Sequence, residues 1–306
     1  MNDEHWLDAV VIGGSFAGVS AALQLARARR SVRVLDAGRP RNRFADAAHG
    51  FFSRDGSDPR ALNAAAQAQL RRYPSARLIA AEASQARAID GGFEILTRDG
   101  DAFAARKLVL AFGVNDALPT LPGLAERWGQ SVLHCPYCHG YEFAGRRLGV
   151  LHSASVSAHQ AMLIADWGPT TLFLNGAPMP DADTAARLAQ RGVAVEAAPV
   201  AELLGDEQTL SALRLNDGRD AAVDALFVAS RVRFNSPLAE RLGCAIDEGP
   251  LGPVIRVDDT RQTTVPGVYA AGDIARPMHN ATWAAADGVA AGASAHQSLV
   301  FAPLAA

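Results

Sequence analysis

The chain begins with an apolar, β-branched run from Ala9 to Ile12, then a turn of small residues, then apolar positions at helical spacing. Val19, Leu23 and Leu25 fall on one side of a helix predicted over Phe16 to Arg29. Arg27, Arg29 and Arg30 gather near its end, where the helix dipole favours cations. Ser31 to Leu35 is the next strand, and Asp36 ends it. The same order returns mid-chain as strand Leu148 to Leu151, helix Val156 to Trp167 and strand Thr170 to Leu174. Residues 75–105 alternate apolar and polar positions and predict strands with a hairpin around Asp90, Gly91 and Gly92. Near the end, Val268 to Ala271 is a buried strand stopping at Gly272 and Asp273, and a long Ala/Gly-rich helix follows from about Asn280. Strand–turn–helix–strand units of this kind define an α/β fold.

Composition narrows the picture. A chain of 306 residues predicts two domains, each with its own core. Its 29 basic and 32 acidic residues give a formal charge of -3, which argues against nucleic acid or an anionic membrane as the main partner. No apolar run reaches the roughly 18 residues of a membrane span. The start, MNDEHWLDAVVIGG, lacks a basic n-region and a long apolar h-region, so a cytoplasmic, reducing location is expected. There a CxxC more often serves redox or metal chemistry than permanent cross-linking.

The first turn reads Gly13-Gly14-Ser15-Phe16-Ala17-Gly18, a dinucleotide fingerprint with one departure. Gly13 fits the tight turn and Gly18 lets helix and strand approach. Ser15 replaces the middle glycine, where backbone meets pyrophosphate, and can still offer its amide. Asp36 is placed to accept bonds from an adenosine ribose, with Ala37 and Gly38 following it. At the other end of the chain, Gly272 lets a ligand come close and Asp273 can bond a sugar-like hydroxyl chain. Asn280, Ala281 and Thr282 open a helix whose first amides suit an electron-rich ring edge.

The segment HCPYCHGYE, residues 134–142, holds Cys135 and Cys138 between His134 and His139. Three readings compete. A zinc site wants four well-spaced ligands, and here each histidine adjoins a cysteine with no second CxxC, so no metal is expected. A structural disulfide is disfavoured by the expected compartment. A redox-active dithiol/disulfide pair is the reading preferred, one thiolate serving as nucleophile. Cys244 stands alone and reads as a small buried hydrophobe.

Taken together, the first turn, the GVYAAGD segment and residues 105–123, which look like a strand crossing between domains, resemble the FAD-dependent pyridine-nucleotide-disulfide oxidoreductases. HCPYCHGYE narrows the resemblance to the low-molecular-weight thioredoxin reductase branch. The resemblance implies two Rossmann-like three-layer domains: a discontinuous FAD-binding domain, 1–116 and 246–306, and an inserted NAD(P)H-binding-like domain, 117–245, carrying the CxxC. It implies a homodimer, Cys135 as the interchange thiol and Cys138 as the sulfur nearer the flavin. It adds Gly113, and Arg41, Arg43 and His49 from the Arg-rich loop 38–56, to the residues expected to line FAD; a solvated loop is the alternative for these last three. Relatives carry an aspartate after the second cysteine. Here His139 stands there, a base suited to neutral pH, in an arrangement similar to gliotoxin oxidase and bacterial dithiol oxidases. His279 and Asn280 occupy the place of an Arg-Gln pair.

The second turn reads Ser153-Ala154-Ser155-Val156-Ser157-Ala158. Aligned on its serines, Ser153 and Ser155 replace the first two fingerprint glycines and Ala158 the third. Ser153 is expected to take up a glycine-like backbone, and Ser155 to intrude on the pyrophosphate. No basic residue follows the next strand before Arg187, where relatives cluster arginines for a 2′-phosphate. NADPH binding is therefore expected to be lost. The expected function is a dithiol oxidase, passing electrons from a small dithiol or thioredoxin-like protein through Cys135–Cys138 to FAD and then O2. Alternatives are a thioredoxin reductase-like enzyme fed by NADPH or another donor, and a flavin-based redox sensor.

Overall fold

A computed structural model describes residues 6–301. The acidic start read above lies partly outside them. The chain divides into two compact units. The first comprises residues up to Arg43, Asp58–Asn115 and Arg233 onward. The second comprises Phe44–Ser57 and Asp116–Val232.

The first unit is built on a seven-stranded sheet. Ala76–Ala80, Val32–Asp36, Trp6–Ile12, Ala102–Leu110 and Val268–Ala270 run parallel. The hairpin strands Ala83–Ile89 and Gly92–Thr97 extend it antiparallel, pairing with the beginning of Ala102–Leu110. The predicted hairpin is therefore present, as an extension of the Rossmann sheet. Strands covered on both faces read as continuous apolar runs, and Ala9 to Ile12 and Leu108 to Leu110 are indeed buried.

Two helices cover one face, Phe16–Arg27 and Ala281–Val300. They meet backbone to backbone. A Cβ on Gly288 would lie 2.0 Å from the Ala17 carbonyl oxygen, and one on Gly292 would lie 2.4 Å from that of Ala21. Glycines one turn apart thus let the terminal helix press onto the first one. The shared core holds Val19, Ala22, Leu25, Val34, Tyr269 and Ala295.

The second unit carries a five-stranded parallel sheet, in the order Ala194–Glu196, Thr170–Phe173, Leu148–Leu151, Ala225–Val228, Val132–Leu133. Helices Ser157–Ile164 and Ala182–Gln190 cover one face over Leu148, Val150, Ile164 and Leu188. An antiparallel three-stranded sheet, Val200–Leu204, Ala212–Leu215 and Asp220–Ala222, contributes Leu203, Leu213 and Leu215 to the other core. Two Rossmann-like α/β units are the architecture that the sequence pattern predicted. The helix expected over Val156–Trp167 is shorter, starting at Ser157 and ending at Ile164.

Candidate active site

In the first unit the turn after Trp6–Ile12 is closed by backbone. The Gly13 amide donates to the Leu35 carbonyl at 2.8 Å, and Gly13 has φ +111°, where a side chain is strained. A Cβ there would lie 2.1 Å from the Ala111 carbonyl oxygen. One on Gly18 would lie 1.8 Å from the Gly13 oxygen, so the helix can begin at once, at Phe16. Ser15 is its N-cap and its side chain makes no capping bond. Phe16 and Ala17 form the first turn, where the amides of any helix have no intrahelical acceptor.

Asp36 ends the neighbouring strand, and its carboxylate stands beside Gly14, where a Cβ would come within 2.7 Å of Oδ2. It accepts from the Gly38 amide at 3.1 Å and from Gln67 Nε2 at 3.3 Å. Ala37 and Gly38 are exposed beyond it. Gln67, unmarked in the sequence, also donates to the Gly14 carbonyl at 2.9 Å, tying turn to acid.

The remaining residues expected to line a cofactor in this unit gather at two further turns. Gly113, φ +68°, follows strand Ala102–Leu110, and Asn235 Nδ2 donates to the adjacent Phe112 carbonyl at 3.0 Å. Gly272, φ +81°, precedes Asp273. Arg41 Nη1 lies 3.1 Å from Asp273 Oδ2 and 2.6 Å from His279 Nδ1. Arg41, Asp273 and His279 thus meet from segments far apart in sequence. Arg43 is exposed and donates to the Pro40 carbonyl at 3.0 Å. Asn280 caps the terminal helix, its Oδ1 accepting from the Thr282 amide at 2.8 Å, with Ala281 opening the helix. Asp287, 1% exposed, is braced by Arg276, in a two-pronged pair, and by Arg261 at 3.1 Å. These bonds to a buried carboxylate tie the loop carrying Asp273 to Asn280 onto the terminal helix.

In the second unit, Cys135 and Cys138 form a disulfide. Cys135 caps the short helix Pro136–His139. Gln160 Nε2 donates to the His134 carbonyl at 2.8 Å, fixing the chain just before the pair. Gly140 ends the helix against Trp167, where a Cβ would lie 2.9 Å from the indole, and Tyr137 meets the same indole edge-on at 5.7 Å. His139 is partly buried, and that burial lowers its pKa; Glu142 pulls it back up and His49 pushes it further down. His49 was expected beside a flavin. The structure gives it neighbours within the second unit, 3.4 Å from Glu142 Oε1 and 3.5 Å from Asp55 Oδ1.

Cys244 is buried in the first unit, 3.5 Å from Thr263 Oγ1, and burial raises its pKa. That agrees with an inert packing role.

The second turn corrects the sequence alignment by one residue. The His152 amide donates to the Phe173 carbonyl at 2.8 Å, the counterpart of Gly13 to Leu35. His152, Ala154 and Ser157, not Ser153, Ser155 and Ala158, therefore hold the fingerprint positions. No residue from 152 to 158 has a positive φ, so Ser153 is not forced into a glycine-like backbone. The turn follows another path because Ser157 fills it. Its buried Oγ accepts from the Ser153 amide at 3.1 Å and the Ala154 amide at 3.2 Å. Ser153 Oγ donates to the Ala229 carbonyl at 3.0 Å. The counterpart of Asp36 is Leu174, 1% exposed.

Comparison with known proteins matches residues 7–288 to the pyridine nucleotide-disulphide oxidoreductase model. The chain belongs to that family. It is 33% identical over 311 residues to the thioredoxin reductase tcpT of Claviceps purpurea, covering 98% of this chain and 96% of that protein. It is 30% identical over 318 residues to sirT of Leptosphaeria maculans, also called a thioredoxin reductase, covering 98% and 96%. Among solved structures it is similar to an oxidoreductase from Agrobacterium tumefaciens, at 44% identity and a TM-score of 0.93, covering 97% of this chain and 99% of that one.

As a thioredoxin reductase-like member of the pyridine nucleotide-disulphide oxidoreductases, the protein is an FAD-dependent oxidoreductase. The first unit passes a physical test for that cofactor. Its turn closes tightly at Gly13, Gly14 and Gly18, where any Cβ would collide with the protein's own atoms; the helix behind it opens without a side-chain cap, and a carboxylate borders the turn. Among the described residues no group of three or more His, Cys, Asp or Glu could hold a metal ion, and no helix is long and apolar enough to cross a membrane.

Proposed function

We propose that the protein is a dithiol oxidase that takes its electrons from thiols and does not use NADPH. One observation carries this reading: the Ser157 hydroxyl occupies the amides of the second turn that a pyrophosphate would need. The surroundings agree. Leu174 replaces the ribose acid, and Asn175 Oδ1 is tied to the Val200 amide at 3.0 Å. The next cations are already paired, Arg187 with Asp183 at 2.9 Å and Arg191 with Asp166 at 2.5 Å. The first unit's turn has none of these obstructions.

The residues would act as follows. A substrate thiolate attacks Cys135, the Cys135–Cys138 bond breaks, and Cys138 leaves as thiolate. His139, its pKa lowered by burial, accepts the proton of the second substrate thiol. That thiolate attacks the substrate sulfur bound to Cys135, releasing a cyclic or intramolecular disulfide and the Cys135 thiolate. The substrate has lost two electrons and the cysteine pair has gained them. Bound FAD would supply a two-electron acceptor that O2 reoxidises with formation of hydrogen peroxide. Gly13 to Gly18, Asp36, Gly113, Arg41, Gly272 and Asp273 would hold and orient that cofactor. A small dithiol or a thioredoxin-like protein fits this chemistry as substrate.

The test is anaerobic mixing of the flavin-loaded protein with NADPH and, separately, with dithiothreitol. The dithiol should bleach the flavin and NADPH should not. In air the dithiol should yield peroxide, and Cys138→Ser should abolish it. Prompt bleaching by NADPH would instead favour a reductase, the reading that the names of tcpT and sirT support. Bleaching without peroxide or substrate turnover would favour a redox sensor.

A further inference from the structure

The two sulfurs of the disulfide stand on different kinds of backbone. Cys138 lies within the short helix Pro136–His139, whereas Cys135 precedes it as an extended N-cap, with φ -112° and ψ 113°. The helix is braced against one ring. Tyr137 meets the Trp167 indole edge-on at 5.7 Å, and Gly140 lets the same indole close on the helix end. Cys135 has no helix around it. The chain reaches it from the two-residue strand Val132–Leu133 through His134. The His134 carbonyl is where a side chain takes hold, for Gln160 Nε2 donates to it at 2.8 Å.

Both anchors come from one stretch of chain. Gln160 lies on the helix Ser157–Ile164, and Trp167 follows just beyond its end. The Trp167 amide donates to the Ile164 carbonyl at 2.9 Å, and the Trp167 carbonyl accepts from the Gly145 amide at 2.7 Å. At the other end, the Ser157 hydroxyl accepts from the Ser153 and Ala154 amides. The helix is fixed at both ends and presents Gln160 between them.

The Gln160 carboxamide is buried on unequal terms. Its Nε2 has the His134 carbonyl, while its Oε1 is buried and accepts from nothing. An unsatisfied buried acceptor is destabilising, and an apolar side chain of the same length would carry none. Packing alone does not call for an amide here. What the amide provides is the bond to His134.

We propose that Gln160 is the positioning residue of Cys135: by holding the His134 carbonyl it aims the disulfide for attack and keeps Cys135 in place once its bond to Cys138 has broken. In that step the incoming thiolate forms a bond to the Cys135 sulfur, the Cys135–Cys138 bond breaks, and its electron pair leaves with Cys138. From then on the cross-link no longer restrains Cys135, whereas Cys138 keeps its helix. The role rests on the reading of Cys135 as the sulfur attacked and is indifferent to where the electrons go afterwards.

The test is anaerobic reduction of the flavin-loaded protein by dithiothreitol in stopped flow, with the electrons taken up counted as labelled thiols plus bleached flavin. Gln160→Met keeps the length and removes the donor. It should slow reduction by about tenfold or more, with a urea midpoint close to wild type, because the unpaired acceptor goes with the amide. Gln160→Glu supplies a signature that a loosened fold cannot. A protonated carboxyl donates to the His134 carbonyl as the amide does, and an ionised one repels it. The rate of this variant should match wild type in acid and fall behind it as the carboxyl ionises, across about pH 5–8, where burial holds carboxyl pKa values up. Reduction of Gln160→Met at the wild-type rate, or a Gln160→Glu rate whose ratio to wild type does not change with pH, overturns the proposal. If wild type forms no peroxide from the dithiol and both variants behave as stated, the positioning role stands and the oxidase reading falls. If peroxide forms and Gln160→Met keeps pace, the oxidase reading stands and the positioning role falls.

Discussion

The two Rossmann turns of this protein start alike and finish differently. Both leave a parallel strand with an amide bonded across to the next strand, Gly13 to Leu35 and His152 to Phe173. In the first, Gly18 stacks its backbone on Gly13, and the helix begins three residues after the turn glycine, at Phe16. In the second, Ser157 stands at the position of Gly18, turns its hydroxyl inward, and the helix begins only there. A hydroxyl that satisfies backbone amides removes both the space and the donors that an anion needs. The difference teaches that the same strand order can carry a turn whose amides stay free of side chains or one whose amides a serine hydroxyl satisfies.

Five changes would break or sharpen that contrast. The largest effect is expected from Gly13→Val, which places a side chain against the Ala111 carbonyl and at φ +111°. The purified protein should lose nearly all its flavin, read as the flavin-to-protein absorbance ratio. Next comes Asp287→Ala, which strands Arg276 and Arg261 beside the first site. Losing the charged hydrogen bonds to this buried acid, whose arginines reach solvent, costs about 1.5–3 kcal/mol, to be read from urea unfolding. Ser157→Ala should cost about 1–3 kcal/mol, because two turn amides lose their acceptor. It should still not allow NADPH to reduce the flavin, since Leu174 and the paired arginines remain. Rapid reduction in that variant would show the hydroxyl to be the sole barrier.

Ser15→Gly, which restores the usual fingerprint in the first turn, should leave flavin retention unchanged, because Ser15 makes no capping bond with its side chain. A small effect on stability is expected at the base of the second turn. Arg147 binds Asp224 through Nη2 at 2.5 Å and Nε at 2.9 Å, joining the starts of strands Leu148–Leu151 and Ala225–Val228. That pairing lowers the Asp224 pKa to about 2. A depressed carboxylate contributes stability above its ordinary pKa and loses it as pH falls towards the folded value. Asp224→Asn should therefore lower Tm slightly at pH 7, by the equivalent of about 0–1 kcal/mol for a pair whose arginine is exposed and solvent-screened. The gap from wild type should close between about pH 4 and 2.

The strand order of both units was legible because buried parallel strands and amphipathic helices leave period-specific patterns. Ala9 to Ile12, Leu148 to Leu151 and Val268 onward could be read directly. Gly13, Gly18 and Asp36 were legible too, since a tight turn and a strand-end acid have local signatures. The second turn was misaligned by one residue because a turn without glycine has no marker for its register; only the His152–Phe173 hydrogen bond fixes it. Ser157 was visible as a serine, but not as a plug. Arg41 with Asp273, Arg276 with Asp287 and His49 with Glu142 are tertiary pairings between separated segments, and nothing in local sequence announces them. Cys135, Cys138 and His139 stood out because two sulfurs and an imidazole rarely adjoin by accident of packing. Gln67, linking Gly14 to Asp36, gave no signal beyond being a polar residue on a helix.

One peptide stretch constrains how this molecule can be dismantled. Residues 44–57 interrupt the first unit in sequence and belong to the second, so a fragment cut at 116 and 232 would omit them. Such a piece would retain both sulfurs and Glu142 but forfeit the histidine that reaches that carboxylate. A chimera exchanging the cysteine-bearing half with a homologue must therefore transplant two stretches of gene, or it would split His49 from Glu142.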